Sequence, residues 1–363
     1  MREPTLDPTV DEAPPAPLRP RKVTTTTVDE RLELIGAGLG SLCLVSIAYA
    51  HVLPTSGVLG FVVCWFLAFL LLHALIAKTS SPWPIVKDKI ATSVMWGLAG
   101  IVLFALATTL VYTFSQGISA LRHANFFTHN MAGVASTAPL TQGGIVNAIA
   151  GTVIMVAVAV LIALPLGLLT AIYLSEVGGK AANVVRTVVE AMTALPEILA
   201  ALFIYVVLVV GVGFPKSGFA VSVAMSVTMV PIIARTGEVA LRIVPSGLRE
   251  ASAALGASEW RTTWKVVVPT ARAGLATALI LAIARGVGET AVALLLSGAS
   301  SFTNLNPFKD PMNSLPLYIY TAFETHDKTA IARAFGAASV LLIIILVLFV
   351  ITRVIAREVK EAR

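Results

Sequence analysis

The stretch "RIVPSGLREASAALGASEWRTTWKVVVPTA", residues 242–271, decides how the rest of this chain is read. It joins two apolar runs, yet its composition is not that of a slack linker. The pattern predicts a short helix over about 246–255, a stop at Gly256 and a second helix after Ser258. Glycine accepts the left-handed backbone that ends a helix, and a serine hydroxyl at an N-cap accepts from a free amide of the first turn. Leu248, Ala251 and Leu255 recur at helical spacing, with the charges Arg249, Glu250 and Glu259 between them. Pro269 then precedes the next apolar run. A plain connector would be a solvated hairpin; a defined helix–glycine–helix between apolar runs more naturally docks on a soluble partner.

Working outward, the flanking runs are long enough to cross a bilayer, which takes roughly 20 apolar residues. The chain of 363 residues is 57% hydrophobic and 13% charged, against about 25% charged for a soluble domain. Spans are predicted at about 32–53, 57–77, 90–114, 145–174, 192–213, 218–241, 272–298 and 335–356. The fold class is therefore an all-α polytopic membrane protein with eight spans. With the N-terminus inside, twenty of the 26 Lys and Arg fall in inside segments, five in outside ones, and one, Arg285, in a span. That asymmetry predicts that both termini are cytoplasmic and that the chain is a multi-pass protein of the cell (plasma or inner) membrane. It also gives the net charge of +6 a topological meaning and excludes nucleic acid as a partner. Residues 1–30, with six prolines and no apolar core, are read as a disordered cytoplasmic tail. Cys43 and Cys64 lie in apolar runs and imply neither a disulfide nor a metal site; no metal-ligand spacing and no catalytic constellation is visible.

Two spans carry charge at a cost of about 2.5–3.5 kcal/mol per residue at mid-bilayer. "LILAIARGVGETAVALLLSG", residues 279–298, holds Arg285 and Glu289. "VPIIARTGEVALRIVP", residues 230–245, holds Arg235 and Glu238. Each acid stands three or four residues after its arginine, so each pair shares a face of an unbroken helix. Arginine presents a planar fork that fits oxyanions in pairs, and two arginines at different depths suit an anion passing between them. The acids are expected to neutralise those arginines when no anion is present. Two structural ion pairs would be the plainer outcome. Thr290 offers a hydroxyl, Gly286 and Gly288 read as close helix packing, and Glu197, just after Pro196, reads as a first-turn acid at a helix start.

The 242–271 loop resembles the EAA loop of ABC-importer permeases. Glu250-Ala251-Ser252, Gly256, Val266 and Val268-Pro269 stand at that motif's spacing, with Ser252, Val266 and Val268 as conservative departures. The sequence Arg285-x-x-Gly288-Glu289-Thr290, the segment "MNSLPLYIY" (residues 312–320), and the set Arg235, Glu238, Val244 and Pro245 resemble the PstA-type permeases of phosphate importers. "LPEILAALF", residues 195–203, departs from that pattern at Glu197 and Ala201.

The resemblance covers roughly 85–363. It implies a six-helix ABC-importer permease core over 85–363, preceded by two additional N-terminal helices over 31–84. It implies a substrate pathway through Arg285, Glu289, Arg235, Glu238 and Thr290. It implies ATPase coupling through Glu250, Ala251, Gly256 and Pro269. The expected partners are a PstC-type sister permease, a PstB-type ATP-binding dimer, a PstS-type phosphate-binding protein and membrane lipid. No cofactor is expected on this chain, which lacks a G-x-x-x-x-G-K-[ST] loop; ATP and Mg2+ would sit in the partner. The neighbouring alternatives are a permease for molybdate or sulfate and, more distantly, a proton-coupled secondary transporter using Glu289 as a relay.

Overall fold

A computed structural model describes residues 28–51 and 57–361. The tail expected over 1–30 thus lies almost wholly outside the described residues. Two compact units divide after Ala107. The first holds α1 (Val28–His51), α2 (Val58–Ser80) and the opening of α3 (Trp83–Leu121). Within it Glu33 accepts from Lys89 at 2.9 Å and from Ser80 at 2.6 Å, and the buried His73 ring nitrogen lies 3.1 Å from the Ser93 hydroxyl.

The second unit runs from Thr108. It contains the end of α3, then α4 (Asn125–Thr128), α5 (Val146–Ile172), α6 (Lys180–Ala194), α7 (Glu197–Ile204) and α8 (Gly218–Arg242). It continues through α9 (Ser246–Ala254), α10 (Glu259–Thr262), α11 (Val268–Val287), α12 (Ala291–Leu296), α13 (Leu315–Glu324) and α14 (Lys328–Glu361). Wide π-type turns extend α5 over Tyr173–Val177, extend α7 over Tyr205–Gly211, and lead into α11 over Thr263–Val267. Among the described residues there is no strand.

Among the described residues, seven helical stretches are long and apolar enough to span a membrane, and a bent pair supplies an eighth element. Two predicted spans need correction. The run at 192–213 is not one straight helix: Lys180–Ala194 and Glu197–Gly211 meet at 101° across Leu195-Pro196. Proline disfavours helical backbone in the residue before it, and Leu195 is extended accordingly, at φ −67° and ψ 128°. The run at 272–298 also breaks. The helix ends at Val287, Gly288 caps it, and a separate short helix begins at Ala291. Two glycines within three residues remove the side-chain support that would carry the helix through.

The centre of this unit is α5 on α8. Gly151, Met155, Ala159, Ala163, Gly167 and Ala171 repeat every four residues along α5, and all are buried. Met225, Met229, Ile233, Gly237 and Leu241 do the same on α8. A Cβ on Gly167 would lie 2.7 Å from that of Ile233, and one on Gly237 would lie 3.0 Å from that of Ala171. Helices in lipid gain little from burying apolar surface against each other, so small residues that bring backbones together carry the association. The stripes match residue for residue in the same direction, so α5 and α8 run parallel.

At the Val146 end of α5, Thr152 accepts the Leu315 amide at 2.8 Å and Ser297 exchanges two bonds with the Met312 backbone. Arg333 is 1% exposed. Its guanidinium donates to the carbonyls of Ser136, Ala138, Pro139 and Gln142, at 2.7 to 3.1 Å. It reads in the sequence as a loop charge; in the fold it pins the 136–142 loop onto α14.

Candidate functional site: a ladder of charges along α8

The arginines and acids singled out from the sequence are assembled by α6, α8 and α11. Arg186 on α6 donates to Glu238 on α8 at 2.8 Å, and Glu190 on α6 stands 4.0 Å from Arg235. Those two matches require α6 to run antiparallel to α8. A Cβ on Gly274 would meet Ala240, and one on Gly286 would meet Met229, so α11 is antiparallel to α8 as well. Arg285, next to Gly286, therefore lies level with the Met229 turn. There it meets Glu197, the first residue of α7 after the bend.

The result is three rungs. Nearest the α9 end, Glu238 is 8% exposed and clasped between Arg186 and Arg242, the latter at 2.7 Å. Glu190 and Arg235 form the next rung, about 4.5 Å further along α8 at 1.5 Å per residue. Glu197 and Arg285 form the third, about 14 Å from the first on the same measure. The Arg235 and Arg285 side chains are 54% and 50% exposed, whereas the core of the unit is closed behind them.

The structure thus keeps the residues and changes the partners. Arg285 and Glu289 do not pair, because the helix on which they would share a face ends between them. Glu289 lies in the break, 3% exposed, with Oε1 lacking a hydrogen-bond partner among the described residues. Arg235 and Glu238 also turn apart, each toward α6. Thr290 stands at the N-cap of α12, and its hydroxyl makes no capping bond. Gly286 is a close-packing site, at 3.1 Å from a built Cβ to Met229 Sδ; Gly288 is not, and instead ends the helix. Glu197, read from sequence as an ordinary first-turn acid, is the residue that reasoning missed. The available signal was an acid inside an otherwise apolar segment.

At the α9 end, the helix–glycine–helix appears as read. Gly256 has φ +76°, and the Ser258 hydroxyl accepts from the Arg261 amide. Glu250 and Ala251 are exposed on α9, Pro269 is in the first turn of α11, and no α9 residue is buried. Leu255, outside any candidate spanning stretch, is 89% exposed, and Trp260, at the very start of the stretch Glu259–Val287, is 67% exposed. Arg249 holds the Glu176 carboxylate in its fork at 2.9 and 3.0 Å. That carboxylate keeps the guanidinium above its ordinary pKa.

Residues 163–361 match the family described as "Binding-protein-dependent transport system inner membrane component". A phosphate transport system permease protein PstA 1 from Mycobacterium tuberculosis is 38% identical over 261 residues, covering 72% of this chain and 85% of that one. The chain belongs to the PstA permease family. Another member, a phosphate transport system permease protein PstA from Pasteurella multocida, is 32% identical over 270 residues, covering 74% of this chain and 94% of that one. A solved structure titled as inward-facing conformations of the MetNI methionine ABC transporter aligns at 26% identity and a TM-score of 0.47, over 60% of this chain and 94% of that one. Membership makes this chain a multi-pass membrane component of a transport system, and the ladder and the α9 loop both fall inside the matched family region.

Proposed function

We propose that this PstA-family chain forms half of the membrane pathway of an ATP-driven phosphate importer, with both termini cytoplasmic. A PstC-type sister chain supplies the other half, a PstB-type dimer binds ATP and Mg2+ and hydrolyses the ATP, and a PstS-type protein delivers phosphate from outside. One observation carries the pathway reading: the guanidinium groups of Arg235 on α8 and Arg285 in the last turn of α11 are about half-exposed although both helices are long and apolar enough to span a membrane. A charge in a spanning helix faces a partner chain or an aqueous cavity, not lipid. In this reading the anion exchanges with Glu197 at Arg285, passes to Arg235, and leaves beside the Arg186–Glu238–Arg242 rung. Thr290 offers its uncommitted hydroxyl near the first of these, and Glu289 offers an acceptor oxygen there. Glu250, Ala251, Gly256 and Pro269 present the α9 loop to the ATPase.

The test is hydrolysis by the reconstituted complex with phosphate, sulfate or molybdate. Stimulation by phosphate alone supports the reading, and equal stimulation by sulfate or molybdate removes the phosphate assignment. Arg285→Lys keeps the charge and loses the fork. It is expected to lower phosphate uptake about tenfold in an assembled complex, a loss of about 1.4 kcal/mol of anion recognition. Unchanged uptake would remove Arg285 from the pathway.

A further inference from the structure

A helix that is to move a bundle has to be fastened to it, and α9 buries none of its own side chains. Its fastenings are few. Ser252 Oγ shares a hydrogen bond of 2.8 Å with Thr262 Oγ1, which ties α9 to its own hairpin. Among the described residues of α9, Arg249 is the one that reaches into the bundle through charge. Its Nε and Nη2 grip Glu176 at 3.0 and 2.9 Å. Nη1 and Nη2 also donate to the carbonyls of Val244 and Leu241, at 2.7 and 3.0 Å. Leu241 is in the last turn of α8 and Val244 lies just past its end, where the helix dipole favours a cation. Glu176 sits in the wide turn that ends α5, oriented by a bond of 2.8 Å from Ser175, with its side chain 12% exposed. Beneath the contact, Ala171, Ile172, Leu241, Val244, Val267 and Ala271 pack as one buried cluster. One side chain therefore binds the ends of the parallel pair that forms the centre of the unit, and α8 carries Arg235 and Glu238.

We propose that Arg249 and Glu176 form the mechanical tie between the coupling helix and the pathway: they transmit displacement of α9 to α5 and α8 as positioning residues and contact neither nucleotide nor anion. A two-point guanidinium–carboxylate fork fixes orientation as well as distance, which a lysine point charge does not. Displacing α9 therefore rotates α5 and α8 together, and loosening the fork lets α9 rock over a bundle that stays still. This inference rests on the importer reading above.

The experiment measures phosphate moved per ATP hydrolysed by the whole complex in proteoliposomes. The variants are Arg249→Lys, Glu176→Gln and the double substitution. Both single variants are expected to assemble and to hydrolyse ATP, while the transport-to-hydrolysis ratio falls about tenfold, equivalent to about 1.4 kcal/mol of lost coupling. The double variant is expected to match the weaker single one, because removing either half of a unit removes the whole. A wild-type ratio in either single variant overturns the tie, as does a double variant whose loss is the product of the two. Failure of Arg249→Lys to assemble also overturns it, since the pair would then serve folding rather than transmission. The wild-type complex is run first with phosphate, sulfate and molybdate. A response to sulfate or molybdate in place of phosphate overturns the phosphate reading and leaves the ratio measurable with that anion. Silence with all three overturns both.

Discussion

Adding one methyl group at each of two glycines of the α9 loop should change its stability in opposite directions. Gly256 has φ +76°, and no atom lies within 4 Å of where a Cβ would stand. The substitution Gly256→Ala therefore meets no steric obstacle, and its whole cost is conformational. A side chain in left-handed backbone costs roughly 1–2 kcal/mol. The bonds at stake are those that end α9, Gly256 N–H to Ala253 O at 2.9 Å and Ala257 N–H to Ser252 O at 3.2 Å. Gly247, in the first turn of the same helix, also has open space around a built Cβ, and its backbone is not left-handed. There Gly247→Ala restricts the unfolded chain without native strain, a gain of about 0.4–1 kcal/mol. Hydrogen exchange over residues 246–262 of the purified chain reads local opening directly. Exchange in Gly256→Ala is expected to be about five- to thirtyfold faster than in the wild type, and in Gly247→Ala about two- to fivefold slower. Wild-type exchange in Gly256→Ala, or both variants moving in the same direction, would refute the argument that Gly256 is required for its backbone conformation.

Three further outcomes follow from the ladder and the 136–142 loop. Glu238→Gln leaves Arg186 and Arg242 facing each other without their acid. Each charged bond is worth about 1.5–3 kcal/mol, and solvent at the two partly exposed guanidinium groups reduces this to about 2 kcal/mol in total, read as a lower thermal midpoint of the detergent-solubilised chain. Glu197→Gln removes the resting partner of Arg285. A partly exposed pair is worth up to about 1 kcal/mol, so release of phosphate in single-turnover uptake is expected to slow by up to about fivefold. Arg333→Met strips four carbonyls of their donor at a cost of about 3 kcal/mol, and limited proteolysis should then cut first within residues 136–142.

Where local rules governed, the sequence was readable. The α9 hairpin obeys cap chemistry and a glycine stop, both set within a few residues, and its limits fall within a residue of those expected. Spans were visible because lipid demands length and apolarity over one continuous stretch. The charge partners were not visible, because an i,i+4 argument assumes the helix continues. Between Arg285 and Glu289 it does not, and the partner that Arg285 takes comes from another helix and a proline bend. Arg249 and Arg333 enter the sequence reading only as loop charges counted toward topology, for a related reason. A single arginine in a loop carries no local mark that separates a topological charge from one gripping a carboxylate or four carbonyls. Only the tertiary path of the chain decides between them.

That tertiary path explains why an anion pathway can contain so many acids. Glu190, Glu197 and Glu238, on α6, α7 and α8, are matched to arginines, and the guanidinium groups outnumber them, with Arg186 on α6, Arg235 and Arg242 on α8 and Arg285 on α11. The surplus is one positive charge, before the buried Glu289 is counted. A row of bare arginines would repel itself at close range and hold an anion too tightly to release it. In the proposed pathway interleaved acids reduce both effects: they screen the cations in the resting chain, and Glu197 and Glu190 must be displaced by an arriving anion, which weakens retention at those two rungs. The burial pattern sets the order of exchange. Glu238 is locked between two arginines and nearly closed off, so it holds geometry, while Arg235 and Arg285 face outward with half their surface open and can change partners. In the proposed pathway, passage requires a motion that alters the spacing of α6, α7, α8 and α11, and α8, which carries Arg235, Glu238 and Arg242, is the helix whose last turn the Arg249 guanidinium holds through the Leu241 carbonyl.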